Sequence, residues 1–114
     1  MRYVLLIAND VAQGEASEAE MQAWWQYTTD LEKSGKLRGG ERLKPSSSAT
    51  TVRQPNGKTL LSDGPFTESK EQLGGYYVVD ADNLDEAVSW AEKMPHFARG
   101  GSVEVRPIWE MTQP

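Results

Sequence analysis

Two helix-capping boxes, two strand segments that are apolar on both faces and one Asn-Gly hairpin signal predict an α+β domain. The elements run strand, helix, strand, strand, helix, strand. The chain has 114 residues, the length of one domain, and residues 1–114 are taken as a single unit. Hydrophobic residues make up 38% and charged residues 25%, so one modest core is expected and disorder is not.

Residues 2–8 read as a buried strand, with Tyr3, Leu5 and Ile7 on one face and Val4, Leu6 and Ala8 on the other. The polar stretch 9–16 holds Gly14 and is a loop. Ser17-Glu18-Ala19-Glu20 is a capping box, in which the Ser hydroxyl accepts from the backbone three residues on and Glu20 reaches back. The helix that follows places Met21, Trp24, Trp25, Thr28 and Leu31 along one side and ends at Ser34, with Gly35 as its left-handed cap. Residues 37–43 form a strand broken or bulged at Gly39-Gly40, and Pro45-Ser46-Ser47-Ser48 is a turn.

Residues 50–54 and 58–62 are two short strands joined around Asn56-Gly57, the favoured type I′ pair. Asp63-Gly64-Pro65-Phe66 turns the chain, and the polar stretch to Gln72 has room for one helical turn. Residues 75–81 are again a strand, Tyr76 and Val78 lying opposite Tyr77 and Val79. Asn83-Leu84-Asp85-Glu86 is the second capping box and opens a helix to about Met94. Its apolar stripe is Leu84, Ala87, Val88 and Ala91, and Pro95 stops it. Residues 102–108 close the domain, Val103 and Val105 pointing inward.

With the hairpin treated as an insertion the order is βαββαβ, the ferredoxin-like pattern. That topology puts its first and third strands in the middle of the sheet, and these are the two segments apolar on both faces. Two helices cover only one face of a four-stranded sheet. A second copy of the chain is the economical cover for the other; the alternative is that the inserted hairpin folds over it.

Twelve Lys and Arg against seventeen Asp and Glu leave a net charge of −5. No basic run offsets it, so nucleic acid is not an expected partner. There is no cysteine, which excludes disulfides, thiolate nucleophiles and Cys-ligated zinc. The apolar run at the N-terminus is too short to span a bilayer and no signal-peptide cleavage pattern follows it, so a cytoplasmic domain without a membrane partner is expected. Asp80, Asp82, Asn83 and Asp85 mimic a calcium loop, but Leu84 takes the fifth place and Asp85 the place of the required Gly. The Gly-Gly pairs lack the Lys and Ser or Thr of a phosphate loop, and no Gly-x-Ser-x-Gly elbow is present. No metal and no cofactor are expected.

The candidate site residues each carry two readings. Asp63 is a turn-builder, accepting from the Phe66 N–H, and also a carboxylate at the lip of a pocket with Phe66 as its apolar wall. His96, the single histidine, follows a helix C-terminus, where the helix dipole favours a surface imidazolium. Its other role is general acid or base, oriented by Asp63 or Glu71. Arg42, Arg53 and Arg106 sit on or beside strands, as edge residues pairing with Glu41 or Glu104, or as planar partners for a carboxylate ligand. Trp24, Trp25 and Tyr27 are either core or the lining of an aromatic pocket. Adjacent Trp24 and Trp25 cannot share a direction, so one is core and the other faces a pocket or an interface.

The stretch Asp63-Gly64-Pro65-Phe66-Thr67-Glu68-Ser69-Lys70-Glu71-Gln72-Leu73-Gly74-Gly75-Tyr76-Tyr77 closely resembles the signature of the DGPF group of YCII-related proteins. The opening Arg2-Tyr3-Val4-Leu5-Leu6-Ile7 and the closing Val103-Glu104-Val105-Arg106-Pro107 resemble the same group, so nearly the whole chain is covered. The resemblance implies a dimeric α/β barrel, two ferredoxin-like subunits packed sheet to sheet. The wider YCII group is suspected of enzymatic activity because of a His–Asp pair, and at least one member resembles a dehydrochlorinating lyase. Some DGPF genes lie beside genes for alternative sigma factors. This chain departs from the wider group: the first-helix histidine position falls near Trp24 and the aspartate position at Met94. Two functions stay open. One is a cofactor-independent lyase or isomerase, with Asp63 and His96 moving protons, Arg42 or Arg106 holding an anionic group, and Trp24, Tyr27, Phe66 and Glu71 around the substrate. The other is a non-catalytic dimer that binds a small ligand or a protein and tunes transcription.

Overall fold

A computed structural model describes residues 1–112. Strand β1 (Arg2–Asp10) leads into helix α1 (Glu18–Lys33) and strand β2 (Leu37–Arg42). The short strands β3 (Thr50–Arg53) and β4 (Leu60–Asp63) follow, then strand β5 (Glu71–Asp80), helix α2 (Leu84–Glu92) and strand β6 (Ser102–Pro107). Four strands form an antiparallel sheet in the order β2-β5-β1-β6, the ferredoxin-like arrangement, and β3 and β4 pair only with each other. The two strands predicted to be central are central.

Alternation along β1 sends Tyr3, Leu5 and Ile7 to the helix side, where Leu5 pairs with Tyr77 and Val105. Tyr27 and Leu31 of α1, Ala87 of α2, Val79 and Met94 close over them into one buried core. Both helices start as predicted, on side chains: Ser17 accepts from the Glu20 N–H and Asn83 from the Glu86 N–H. Helix α1 ends on Ser34 and a left-handed Gly35 at φ 77°. The first capping box is only half formed. Glu20 does not reach back, because the guanidinium of Arg99 takes its carboxylate, and a charge-assisted pair is stronger than a cap to a neutral N–H.

Several details differ from expectation, and the first strand runs on to Asp10, into the stretch read as a loop. The stretch before Gly75 holds no helical turn; the chain is already extended at Glu71, where it pairs with Asp10. The irregularity in β2 lies one residue earlier than Gly39, between Leu37 and Gly39, so that Arg38 has no partner across the strand. The hairpin turn is of the expected kind, with Asn56 at φ 56°, Gly57 at φ 78° and the Lys58 N–H bonded to the Pro55 carbonyl. Pairing resumes only at Arg53 and Leu60, which leaves a wider loop and moves the second strand two residues on. A further register shift lies between Ile7 and Ala8, where β5 accommodates Gly74 as an extra residue.

The opposite face of the sheet presents Val4 and Leu6, paired with Val78 and Tyr76, and no helix covers it. The hairpin does not fold over it: every residue of β4 is exposed, and the chain is 18 Å thick in its short dimension, room for one sheet and one helix layer. Leu31, with no exposed surface, is the side chain on which the helix layer closes. Replacing it with Ala is expected to cost about 2–5 kcal/mol in chemical denaturation; a loss under about 1 kcal/mol would show that α1 is not seated as described.

Candidate functional site

Helix α1 lies over the inner face of the sheet, and the inner positions beneath its β2 side are Gly40, opposite Tyr77, and Gly75, opposite Arg42. Both must be glycine. A Cβ at 40 would lie 2.7 Å from the Tyr76 carbonyl oxygen, and one at 75 would lie 2.9 Å from that of Glu41. With no side chains there to fill the space under the helix, a groove of about 1130 Å³ opens between α1 and the β2–β5 edge. Trp24, Trp25 and Thr28 form its helix wall, Tyr77 its floor and Arg42 its outer rim. Tyr77 reaches across to share a hydrogen bond with the Thr28 hydroxyl.

The inner end of the groove is polar. Arg99, from the turn before β6, bonds Glu20 through Nε and Nη2, at 2.5 and 2.8 Å, and donates from Nη1 to the Gly14 carbonyl at 2.9 Å. The Trp24 indole N–H donates to the same Glu20 carboxylate at 3.2 Å. Arg99 holds the Glu20 carboxyl below the usual carboxylate range, against an opposing push from burial. Beside this pair the buried Asp10 accepts from the Ala12 N–H and faces the Lys70 ammonium at 3.4 Å. Among the described residues no three His, Asp or Glu side chains converge as ligands for a metal ion.

The candidates named from the sequence are spread over several places. Trp24 and Arg42 come together on the groove. Tyr27 lies in the core beneath it, donating its hydroxyl to the Trp90 carbonyl at 2.9 Å, and burial pushes that hydroxyl well above the ordinary phenol range. Trp25 is 71% exposed on the rim, so of the two adjacent tryptophans Trp24 is the one that packs on the core. Arg106 lies opposite Val4 on the helix-free face and pairs with Glu104. Glu71 is exposed at the start of β5. Asp63 and Phe66 are exposed at the root of the hairpin. There Gly64 has φ 101°, as a turn-builder needs, but Phe66 is held through its carbonyl by Arg53 at 2.8 Å.

His96 is not a surface residue; it is wholly buried, its ring centroid 5.4 Å from Trp24 and 4.9 Å from Phe97. Its Nε2 lies 2.9 Å from the Ser102 carbonyl, so that nitrogen carries the hydrogen, and its buried Nδ1 has no partner among the described residues. Neither Asp63 nor Glu71 therefore orients it. Gly101 makes the burial possible, since a Cβ there would come within 2.1 Å of the ring. Sequence reasoning missed Glu20, Arg99, Asp10 and Gly101. Glu20 was visible only as a cap, and nothing in a single sequence ties position 20 to position 99.

The model of the YCII-related domain matches residues 1–112. The chain belongs to the YCII-related family. An uncharacterized protein of Rhizobium meliloti (strain 1021) is 37% identical over 114 residues, covering 95% of this chain and 92% of its own. Among solved structures the chain is similar to TftG, the 5-chloro-2-hydroxyhydroquinone dehydrochlorinase of Burkholderia phenoliruptrix AC1100, in its complex with 2,5-dihydroxybenzoquinone. The TM-score is 0.54 at 16% identity, covering 98% of this chain and 96% of that one. This likeness carries the ferredoxin-like fold. The imidazole of His96 comes from the segment after α2 and lies tilted against Trp24 of α1.

Two outcomes follow. Glu20→Gln leaves Arg99 with half a partner and is expected to lower stability by about 1–3 kcal/mol at neutral pH. Because the folded Glu20 carboxyl titrates below its ordinary 4.5, the difference between wild type and variant is complete above about pH 5 and shrinks as pH falls through the folded value; a pH-independent difference would contradict the pairing. Gly101→Ala is expected to lower the melting temperature by several degrees through the His96 clash. The double variant Gly101→Ala/His96→Ala should recover part of that loss.

Proposed function

We propose that this YCII-related chain binds or transforms a small organic molecule, anionic or aromatic, in the groove beneath α1. The observation that carries the reading is the composition of that groove: two indoles on one wall, a bare glycine backbone below, and the Arg42 guanidinium at the rim. A flat ring fits between indole and backbone, and a carboxylate or phenolate on it meets a planar cation at the mouth. That TftG is a dehydrochlorinase solved with a dihydroxybenzoquinone supports the same ligand class.

If the chain is catalytic, the chemistry is acid–base, of lyase or isomerase type. His96 stands one indole away from the groove, and Asp63 stands on the hairpin. Several groups that handle protons line the groove, Glu20 and Glu41 among them; of these Asp10 and Tyr77 are the pair we assign to the chemistry. Asp10 would accept a proton from a bound ring and Tyr77, with Thr28 behind it, would return one to an oxygen.

The uncovered face with Val4, Leu6, Tyr76 and Val78 supports a homodimer packed sheet to sheet. The second reading, a non-catalytic dimer that binds a protein, draws on the exposed Trp109 and Met111 at the C-terminal end.

A thermal-shift screen of hydroxylated aromatic, quinone, lactone and carboxylic-acid compounds tests the first reading. A ligand at one hundred times its Kd adds about 2.7 kcal/mol, a rise of several degrees. Hits should lose affinity about tenfold or more in Arg42→Ala, and Asp10→Asn should abolish turnover while leaving binding. Hits indifferent to Arg42→Ala and Trp25→Ala would place the ligand elsewhere, and a silent screen with the assembly intact favours the second reading.

A further inference from the structure

The hairpin of β3 and β4 is the least supported part of the chain. An isolated two-stranded hairpin is marginal in water, yet this one stands clear of the main sheet and exposes its apolar side chains. Val52 and Leu61 face each other across the pair at 60% and 63% exposure, with Phe66 at the root at 75%. The root is fixed: Gly64 donates to the Ala49 carbonyl at 2.7 Å, and the Thr51 hydroxyl donates to the Gly64 carbonyl at 2.8 Å. These bonds tie the two legs of the arm together where it leaves the body of the chain.

Area says what it waits for. The chain exposes 8101 Å², about 1,900 Å² more than a compact monomer of its mass. Its radius of gyration is 16.1 Å, against about 13 Å for a compact chain of this length. Obligate homodimers bury about 1,000–2,500 Å² on each subunit, so the surplus matches what one further copy would remove. Charge agrees: the arm carries Arg53 and Lys58 against Asp63, in a chain of net charge −5.

We propose that the hairpin is a clasp that crosses to a second copy of this chain and lays its Val52–Leu61 face on it, separately from the sheet-to-sheet contact. By two-fold symmetry each copy gives one arm and receives one. The proposal rests on the homodimer reading above and adds a second contact to it.

Sedimentation velocity and photo-crosslinking test it. The wild type should sediment as a dimer, and Val52→Asp/Leu61→Asp, with its circular dichroism retained, should dissociate at about hundredfold or more higher concentration. A benzoylphenylalanine in place of Leu61 should give a covalent dimer on illumination. That readout decides the matter even if the aspartate variant misfolds. A wild-type monomer overturns both the homodimer reading and the clasp. A wild-type dimer that is unchanged by the aspartates, or that gives no crosslink between chains, overturns the clasp alone and leaves the sheet-to-sheet dimer standing.

Discussion

The antiparallel pairing of β1 with β5 is the constraint on which the rest of the molecule depends. It joins residues distant in the chain, Arg2 to Asp80 and Asp10 to Glu71, and fixes which side chains face the helices. Leu5 and Val79 go inward and are wholly buried, while Leu6 and Val78 go outward and meet no helix. The same register sets Gly75 under α1 beside Gly40, which is why the groove opens where it does. It also seats Asp10 at the end of β1, against the turn that brings Arg99 and His96. Core, uncovered face and candidate site are three readings of one ladder.

How much of this was legible in the sequence follows from the range of the interactions. Ser17, Asn83, Gly35 and the Asn56-Gly57 turn act within a few residues, and each did what its type predicts. The central strands were legible because apolar side chains on both faces leave no polar alternation to mask them. The start of β5 was not: Glu71 and Gln72 are polar, and they are extended only because Asp10 and Asn9 lie opposite. The site was less legible still. His96 reads as a surface residue because a lone polar side chain after a helix usually is one; its burial depends on the missing Cβ of Gly101. Glu20 reads as a cap until Arg99 arrives from across the fold.

Groove and hairpin look unrelated, yet both are places where the single chain stops short of closing on itself. Under α1 the inner face carries glycines at 40 and 75, where a Cβ would strike the neighbouring strand. Beyond β2 the chain builds two strands with no third to support them. A fold of one sheet and one helix layer leaves such edges open, and in our two proposals a ligand fills the first and another chain the second.

The extra residue at Gly74 has a consequence for how the chain can change length. Upstream of it, Leu73 pairs with Ala8 on the outer face; downstream, Gly75 pairs with Ile7 on the inner one. The bulge thus works like a reading frame with two settings. Losing or gaining one residue in this stretch would exchange inside for outside along the first part of β5, whereas a change of two restores the setting. Length variation among relatives should therefore fall in pairs within β5 and run free in the hairpin, where no face is yet assigned within the chain itself.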